Sequence, residues 1–435
     1  MIHKFYLNGF YIVLDVNSGA VHVVDRLSYE LLDGLEAPLP ANCPQKIAER
    51  LQGTYSDAEI QEAYAELYSL YQNGFLFSSD DYEPFAAQMG PAPVKSMCLN
   101  IAHDCNLRCK YCMPDGVTDV GMKNILTFEE IWEIVRAGVS LGITHVRITG
   151  GEPLVRKGCV DLIRGIRAIP GVETITMTTN GVLLRTYAAS LKEAGLDGLN
   201  VSLDTLDFEE FASLAGRQNL KEVLDGIQAA KEMGLPVKIN SVNRKELNPI
   251  SLVLYAQQQK IPLRFIEIMP VGYGKQYVGR SNDELRTCLE DEFGKSEMIT
   301  YQANQKKQIS HMVQTLHTKE VPIGSGPAVY YRFSELTIPV GFISAIHGKF
   351  CESCNRVRLT AQGYLKLCLC YDKGIDLRQI LRGEETGQNE KNIQKALNEK
   401  LTTAMRAAIY KKPAAHCFEH PEEMTEINEM VKIGG

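Results

Sequence analysis

The chain has no uninterrupted apolar run near the roughly 20 residues that a membrane-spanning helix needs, so it is not expected to cross a bilayer. Its first residues, MIHKFYLNGFYIVLDV, lack the charged, apolar and small-residue order of a secretory signal. A cytoplasmic location is the expectation that follows. Positive charge is scarce as well: 46 Lys and Arg stand against 53 Asp and Glu, a formal net charge of -7. That balance argues against general affinity for nucleic acid but leaves room for a local basic pocket that takes one phosphorylated ligand. Internal repeats and low-complexity segments are lacking too.

Cysteine, by contrast, is plentiful. There are twelve, and in a reducing compartment their clustering favours metal over disulfides. Six fall in two groups: Cys105, Cys109 and Cys112 in CNLRCKYC, and Cys351 and Cys354 in FCESCNR, followed by Cys368 in YLKLCLC. The others, Cys43, Cys98, Cys159, Cys288, Cys370 and Cys417, read as small buried hydrophobes or incidental thiols. Cys370 also lies close enough to Cys368 to stand in as a ligand. Three thiolates on one loop can hold three corners of a [4Fe–4S] cubane and leave the fourth iron open. Zinc is the alternative, although its sites usually take four protein ligands in paired sets. The second group allows the same open cluster, a fully ligated one through Cys370, or a zinc knuckle.

With 435 residues the chain exceeds one ordinary core, and two or three domains are expected. In residues 1–85, FYIVLDV and AVHVVD flank the turn Asn17-Ser18-Gly19 as a hairpin. Helical patterns follow at RLSYELLDGL, PQKIAERL and SDAEIQEAYAELYSLYQNG, the last stopping at Gly74. This predicts a winged-helix-like module, with residues 86–96 as a linker. Over 97–274, the runs MCLNIA, THVRITG, TITMTT, GLNVSL, VKINSV and LRFIEI alternate with helical ones. That alternation predicts α/β architecture, a partial (β/α)6 parallel barrel. The loops after strand ends then carry the chemistry. The first cysteine group, the run Gly150-Gly151-Glu152 and the pair Asn180-Gly181 follow the first, second and third strands. Residues 275–435 lose the alternation and are expected to form a smaller C-terminal iron–sulfur domain.

Tyr111 before Cys112, together with the GGEP run, makes the barrel segment resemble the radical S-adenosylmethionine superfamily. The resemblance implies an open iron that chelates S-adenosylmethionine and a reduced cluster that cleaves it to a 5'-deoxyadenosyl radical. It also implies cofactor contacts from Gly151, Glu152, Thr178, Ser202 and Met269. The runs RFIEIMPVG, GPAVYYRF and VGFISAIHGKFCESCNRVRLTAQGYLKLCL, with the terminal Gly434-Gly435, make residues 113–435 similar to the GTP 3',8-cyclases of molybdenum cofactor biosynthesis. That similarity implies a second cluster whose open iron meets guanine, a C3' radical that attacks C8, and an electron donor as partner. Arg147, Lys238, Arg264, Arg356 and Arg358 would hold the triphosphate and ribose. Arg147, Arg356 and Arg358 would also serve the reaction, together with Gly434 and Gly435, whose tail enters the active site. Arg356 and Arg358, two apart in a strand-like run, point to one side.

Residues 1–112 resemble instead the N-terminal part of the maturases that build thioether crosslinks in six-cysteine ribosomal peptides. This implies a recognition module in which a leader peptide adds a strand to the hairpin edge. Two positions depart from the cyclase pattern: Cys98 and His145 stand where that family places basic residues. Both changes remove positive charge from the expected GTP site.

Overall fold

The run LNGF carries a turn signal that alternation alone does not display. Asn8 and Gly9 both take positive φ, 51° and 90°, as a tight hairpin turn requires. A strand therefore precedes the expected hairpin. Strands β1 (Ile2–Leu7), β2 (Phe10–Asp15) and β3 (Val21–Val24) form an antiparallel sheet in that order. Helices α1 (Arg26–Leu31), α2 (Gln45–Leu51) and α3 (Asp57–Gln72) follow, and a Ser56–Glu59 capping box starts α3. Leu31, Ile60, Tyr64 and Leu67 bury their apolar faces with Val13, forming the core of a unit that spans Met1–Gly90. This computed structural model describes residues 2–79, 94–114, 124–277, 279–299, 326–383 and 390–434. Gly435 and residues 86–93 of the expected linker lie outside them.

In the second unit, Pro91–Gly435, the six β-branched runs form β4 (Ser96–Asn100), β5 (His145–Thr149), β6 (Thr174–Thr179), β7 (Gly198–Ser202), β8 (Val237–Asn243) and β9 (Leu263–Glu267). They pair in parallel, each with the next. Between them run α4 (Phe128–Ser140), α5 (Cys159–Arg167), α6 (Leu184–Glu193), α7 (Phe208–Ala215), α8 (Leu220–Glu232) and α9 (Pro249–Gln259). The helices cover one face with Ile131, Leu162, Leu191 and Ile227. The expected α/β partial barrel is present.

The sheet does not stop at six strands. Beyond β9 come β12 (Val340–Ile343), β11 (Val329–Phe333) and β10 (Ser296–Met298); beyond β4 come β13 (Arg356–Leu359), β14 (Tyr364–Lys366) and β15 (Gly374–Asp376). Residues after 275 thus extend both edges of the barrel sheet and pack with it as one unit. β13 lies parallel to β4, which sets Arg358 beside Cys98 and Cys98 beside Arg147 across three neighbouring strands. Among the described residues no helix is long and apolar enough to cross a membrane.

Candidate active site

Cys105, Cys109 and Cys112 line a cavity of about 270 Å³ at the C-terminal ends of the barrel strands. The loop that carries them leaves β4 and is stitched to α7: Arg108 N–H donates to the Ala215 carbonyl at 2.8 Å, and Lys110 N–H to that of Leu214 at 3.0 Å. Against the start of this loop lies the glycine pair. Gly151 N–H donates to the Ala102 carbonyl at 2.6 Å and Glu152 N–H to that of Asp104 at 2.8 Å. A β-carbon on Gly151 would sit 2.2 Å from the Asp104 carbonyl oxygen, and one on Gly150 2.6 Å from that of Ala102. Only glycines allow this approach, which fixes the backbone next to Cys105.

Gly151, Thr178, Ser202 and Met269 line the same cavity. Glu152 lies behind its wall, fully buried. It accepts from Asn180 N–H at 2.7 Å, Thr179 Oγ1 at 2.8 Å and Leu154 N–H at 3.1 Å. Burial pushes its carboxyl up to about 7, and those three donors hold it from rising further. Asn180 in turn donates through Nδ2 to Asn106 Oδ1 at 2.7 Å and to Cys105 Sγ at 3.5 Å. Tyr111 donates to Asp204 at 2.7 Å, and the Val242 N–H bonds the other Asp204 oxygen at 2.8 Å. Burial raises the thiols of Cys105 and Cys109 and takes that of Cys112 up to about 12. Three unbridged thiols on one cavity wall are the donor set that an iron–sulfur cluster requires.

Cys351, Cys354 and Cys368 line a second cavity of about 170 Å³, together with Arg147, Arg264, Arg356 and Arg358. Thr178, Asn240, Ile266, Met269, Arg358 and Leu369 border both cavities, so the two chambers share a wall. The second thiol triad is also unbridged and fits a cluster on the same grounds. Cys370 is absent from this lining; its Sγ lies 3.1 Å from that of Cys417.

The cations are held by the barrel interior. Arg264 donates to Asn240 Oδ1 at 2.9 Å and to Asn200. Arg358 donates to the Gly434 carbonyl, and Asn100 Nδ2 to that of Val431 at 2.8 Å, so the tail rests on the barrel mouth. Arg147 Nε is buried without a hydrogen-bond partner. Burial, reinforced by Arg147, lowers Arg356 to about 10; burial, reinforced by Arg264 and Arg147, lowers Lys238 to about 8. Lys238 sits on β8 but borders neither cavity. Burial alone would raise the Cys98 thiol, yet Arg358, Arg147 and Arg356 outweigh it and hold the thiol below its ordinary value. His145 is placed elsewhere, 2.9 Å from Thr144 Oγ1 and 3.7 Å from Glu173.

Sequence reasoning missed Asp204, Asn240 and His416. Asp204 stands just past the end of β7, a placement that could have marked it, whereas Asn240 lies in the middle of β8. His416 lies in a segment with no periodicity, and no signal pointed to it.

The family model described as Radical SAM superfamily matches residues 99–253, and that described as Molybdenum Cofactor Synthesis C matches residues 261–418. The GTP 3',8-cyclase of Clostridium perfringens (strain SM101 / Type A) is 36% identical over 341 residues, 78% of this chain and 96% of that protein. The GTP 3',8-cyclase of Petrotoga mobilis is 39% identical over 350 residues, again 78% of this chain and 96% of that protein. Among solved structures, Streptococcus suis SuiB bound to S-adenosylmethionine aligns over 99% of this chain and 98% of its own, at 15% identity and a TM-score of 0.48. Identity at the level of the two cyclases, over nearly their whole length, makes the chain a radical S-adenosylmethionine enzyme of the GTP 3',8-cyclase family.

Proposed function

We propose that this chain cyclises GTP by joining C3' of the ribose to C8 of the guanine. S-adenosylmethionine and one cluster occupy the first cavity, and the nucleotide enters the second beside the other cluster. The observation that carries the reading is the lining of the second cavity: a thiol triad and four arginines around one chamber that shares a wall with another thiol-lined chamber. When bound, the first cluster and S-adenosylmethionine supply a hydrogen-abstracting radical.

The chain's own residues do the rest. Guanidinium forks match phosphate oxygens, and a hydrogen bond to a charged group contributes about 1.5–3 kcal/mol. Arg147, with its buried unpartnered Nε, and Arg264 and Arg356 bind the triphosphate. Arg358 holds the tail through Gly434 and faces both chambers. Lys238, lowered to about 8, remains mostly protonated at pH 7 and adds to the positive field. The apolar side chains of Ile266, Met269 and Leu369 in the shared wall keep water from the reacting atoms. Cys98 lies between Arg358 and Arg147 on neighbouring strands, where the cyclase pattern places a basic residue, and adds no positive charge to this field. An electron donor and a cytoplasmic setting belong to this reading.

The test is equilibrium binding of GTP to anaerobically reconstituted enzyme, with mass analysis for the cyclised nucleotide. Arg356→Ala is expected to weaken binding about tenfold or more, the equivalent of one lost charge-assisted contact. Failure of the unaltered enzyme to bind GTP would sink the reading.

A second reading has one specific observation in its favour. The outer strands of the three-stranded sheet expose Phe5, Tyr6, Leu7, Val21 and Val23, and such an edge can take an added peptide strand. The enzyme would then crosslink a ribosomally made peptide recognised there.

A further inference from the structure

His416 borders the second cavity and is 7% exposed. Its ring stacks on Phe418, with centroids 4.4 Å apart. Nδ1 accepts the Phe418 N–H at 3.4 Å, so the ring proton belongs on Nε2. That atom is buried and makes no full hydrogen bond, although the Ala345 carbonyl lies near enough to the ring to interact with it weakly. Glu419 does not take it up: its carboxylate is 3.9 Å from Nδ1 and paired with Lys349 at 2.9 Å. The backbone anchors the ring beside the thiol triad, since His416 N–H donates to Cys351 Sγ at 3.4 Å.

A buried donor left without a partner costs free energy unless a ligand satisfies it. The lining residues of the chamber are of two kinds. Arg147, Arg264, Arg356 and Arg358 come from strands β5, β9 and β13 and serve charged oxygens. The lining residues next to His416 in the chain or touching its ring are apolar apart from Lys412 and the Cys351 thiol, with Pro413 and Phe418. A triphosphate belongs with the guanidinium groups. The flat uncharged base belongs with the apolar lining, where a neutral N–H donor meets an acceptor on the base edge. Guanine offers the carbonyl O6 at that edge, whereas adenine offers an amino group, itself a donor.

We infer that His416 is a specificity-determining residue that donates its Nε2 proton to the purine carbonyl of the bound nucleotide and so selects guanine over adenine. The inference rests on the GTP reading above, and its test separates the two. GTP, ITP and ATP are titrated into reconstituted enzyme by calorimetry, for the unaltered protein, His416→Phe and His416→Gln. Phe keeps the ring and its stacking; Gln keeps a donor. In His416→Phe, affinity for GTP and ITP is expected to fall about tenfold, as for loss of one hydrogen bond with a buried group, while that for ATP stays unchanged. His416→Gln should fall between. Because the GTP-to-ATP ratio is taken within one preparation, partial loss of cluster or folded protein cancels. If the unaltered enzyme binds GTP and His416→Phe leaves that ratio the same, the inference is overturned while the GTP reading stands. No GTP binding by the unaltered enzyme overturns both.

Discussion

Gly151 bears on the first cluster although it offers no ligand atom. A β-carbon there would meet only backbone: the Asp104 carbonyl oxygen at 2.2 Å and the Asp104 carbonyl carbon and His103 oxygen at 2.7 Å. No rotamer change relieves such a clash, so Gly151→Ala must displace residues 103–105 and with them the Cys105 thiol. The expected outcome is loss of about half the iron of reconstituted protein, since one of two clusters depends on that loop, together with loss of S-adenosylmethionine cleavage. Iron analysis beside an assay for 5'-deoxyadenosine checks it. Full iron content with normal cleavage would show that the loop yields without cost. Glu152, the neighbour, illustrates a limit of reading by motif. The GGEP pattern locates the residue but not the direction of its side chain, and here the carboxylate braces Asn180 and Leu154 behind the cavity wall.

At the scale of elements, the C-terminal tail is held by a buried ion pair as well as by Arg358. Lys366 on β14 pairs with Glu426, and the two are 2% and 1% exposed. Lys366 also donates to the Tyr371 carbonyl at 2.9 Å, and Glu426 accepts from Asn428 N–H at 2.8 Å. Removing one partner strands the other charge in the interior, which costs about 3–5 kcal/mol, whereas replacing both with apolar groups of similar volume is close to neutral. Glu426→Leu is therefore expected to lower the denaturant midpoint sharply, and Lys366→Met added to it should recover most of the loss. A double variant as unstable as the single one would place the cost in lost packing instead. β14, which carries Lys366, and its neighbour β15 were not legible in the sequence. The six barrel strands were legible because each has five to seven residues and alternates with a helix of regular apolar spacing. β14 and β15 have three residues each, too few for a period of two to register. Their place at the edge of the barrel sheet depends on long-range pairing, as does the position of Cys368 just beyond β14. Cys105, Cys109 and Cys112, and the pair Cys351 and Cys354, were legible for the opposite reason, since close spacing along the chain already brings those thiols together.

For the molecule as a whole, charge and site are divided between the two units. Residues 2–79 hold Lys4, Arg26, Lys46 and Arg50 against ten Asp and Glu, so most of the net charge of -7 lies in the first unit. Every residue lining the two thiol-bearing cavities belongs to the second. A chain lacking residues 1–90 keeps 42 Lys and Arg against 40 Asp and Glu and all of that lining. On the GTP reading, such a truncation is expected to retain its iron, its S-adenosylmethionine cleavage and its GTP affinity to within about twofold. Association with the nucleotide polyanion should be no slower at low ionic strength, since the net charge has moved away from negative. On the peptide reading, the same truncation keeps iron and slow uncoupled cleavage but loses all processing of a peptide that the full chain modifies. Parallel assays on the full and shortened chains, with GTP and with a cysteine-rich precursor peptide, therefore separate the readings. Retained cyclisation of GTP without residues 1–90 supports the first. If GTP binding disappears with the first unit while iron and cleavage persist, the four arginines of the second cavity do not suffice to hold the nucleotide.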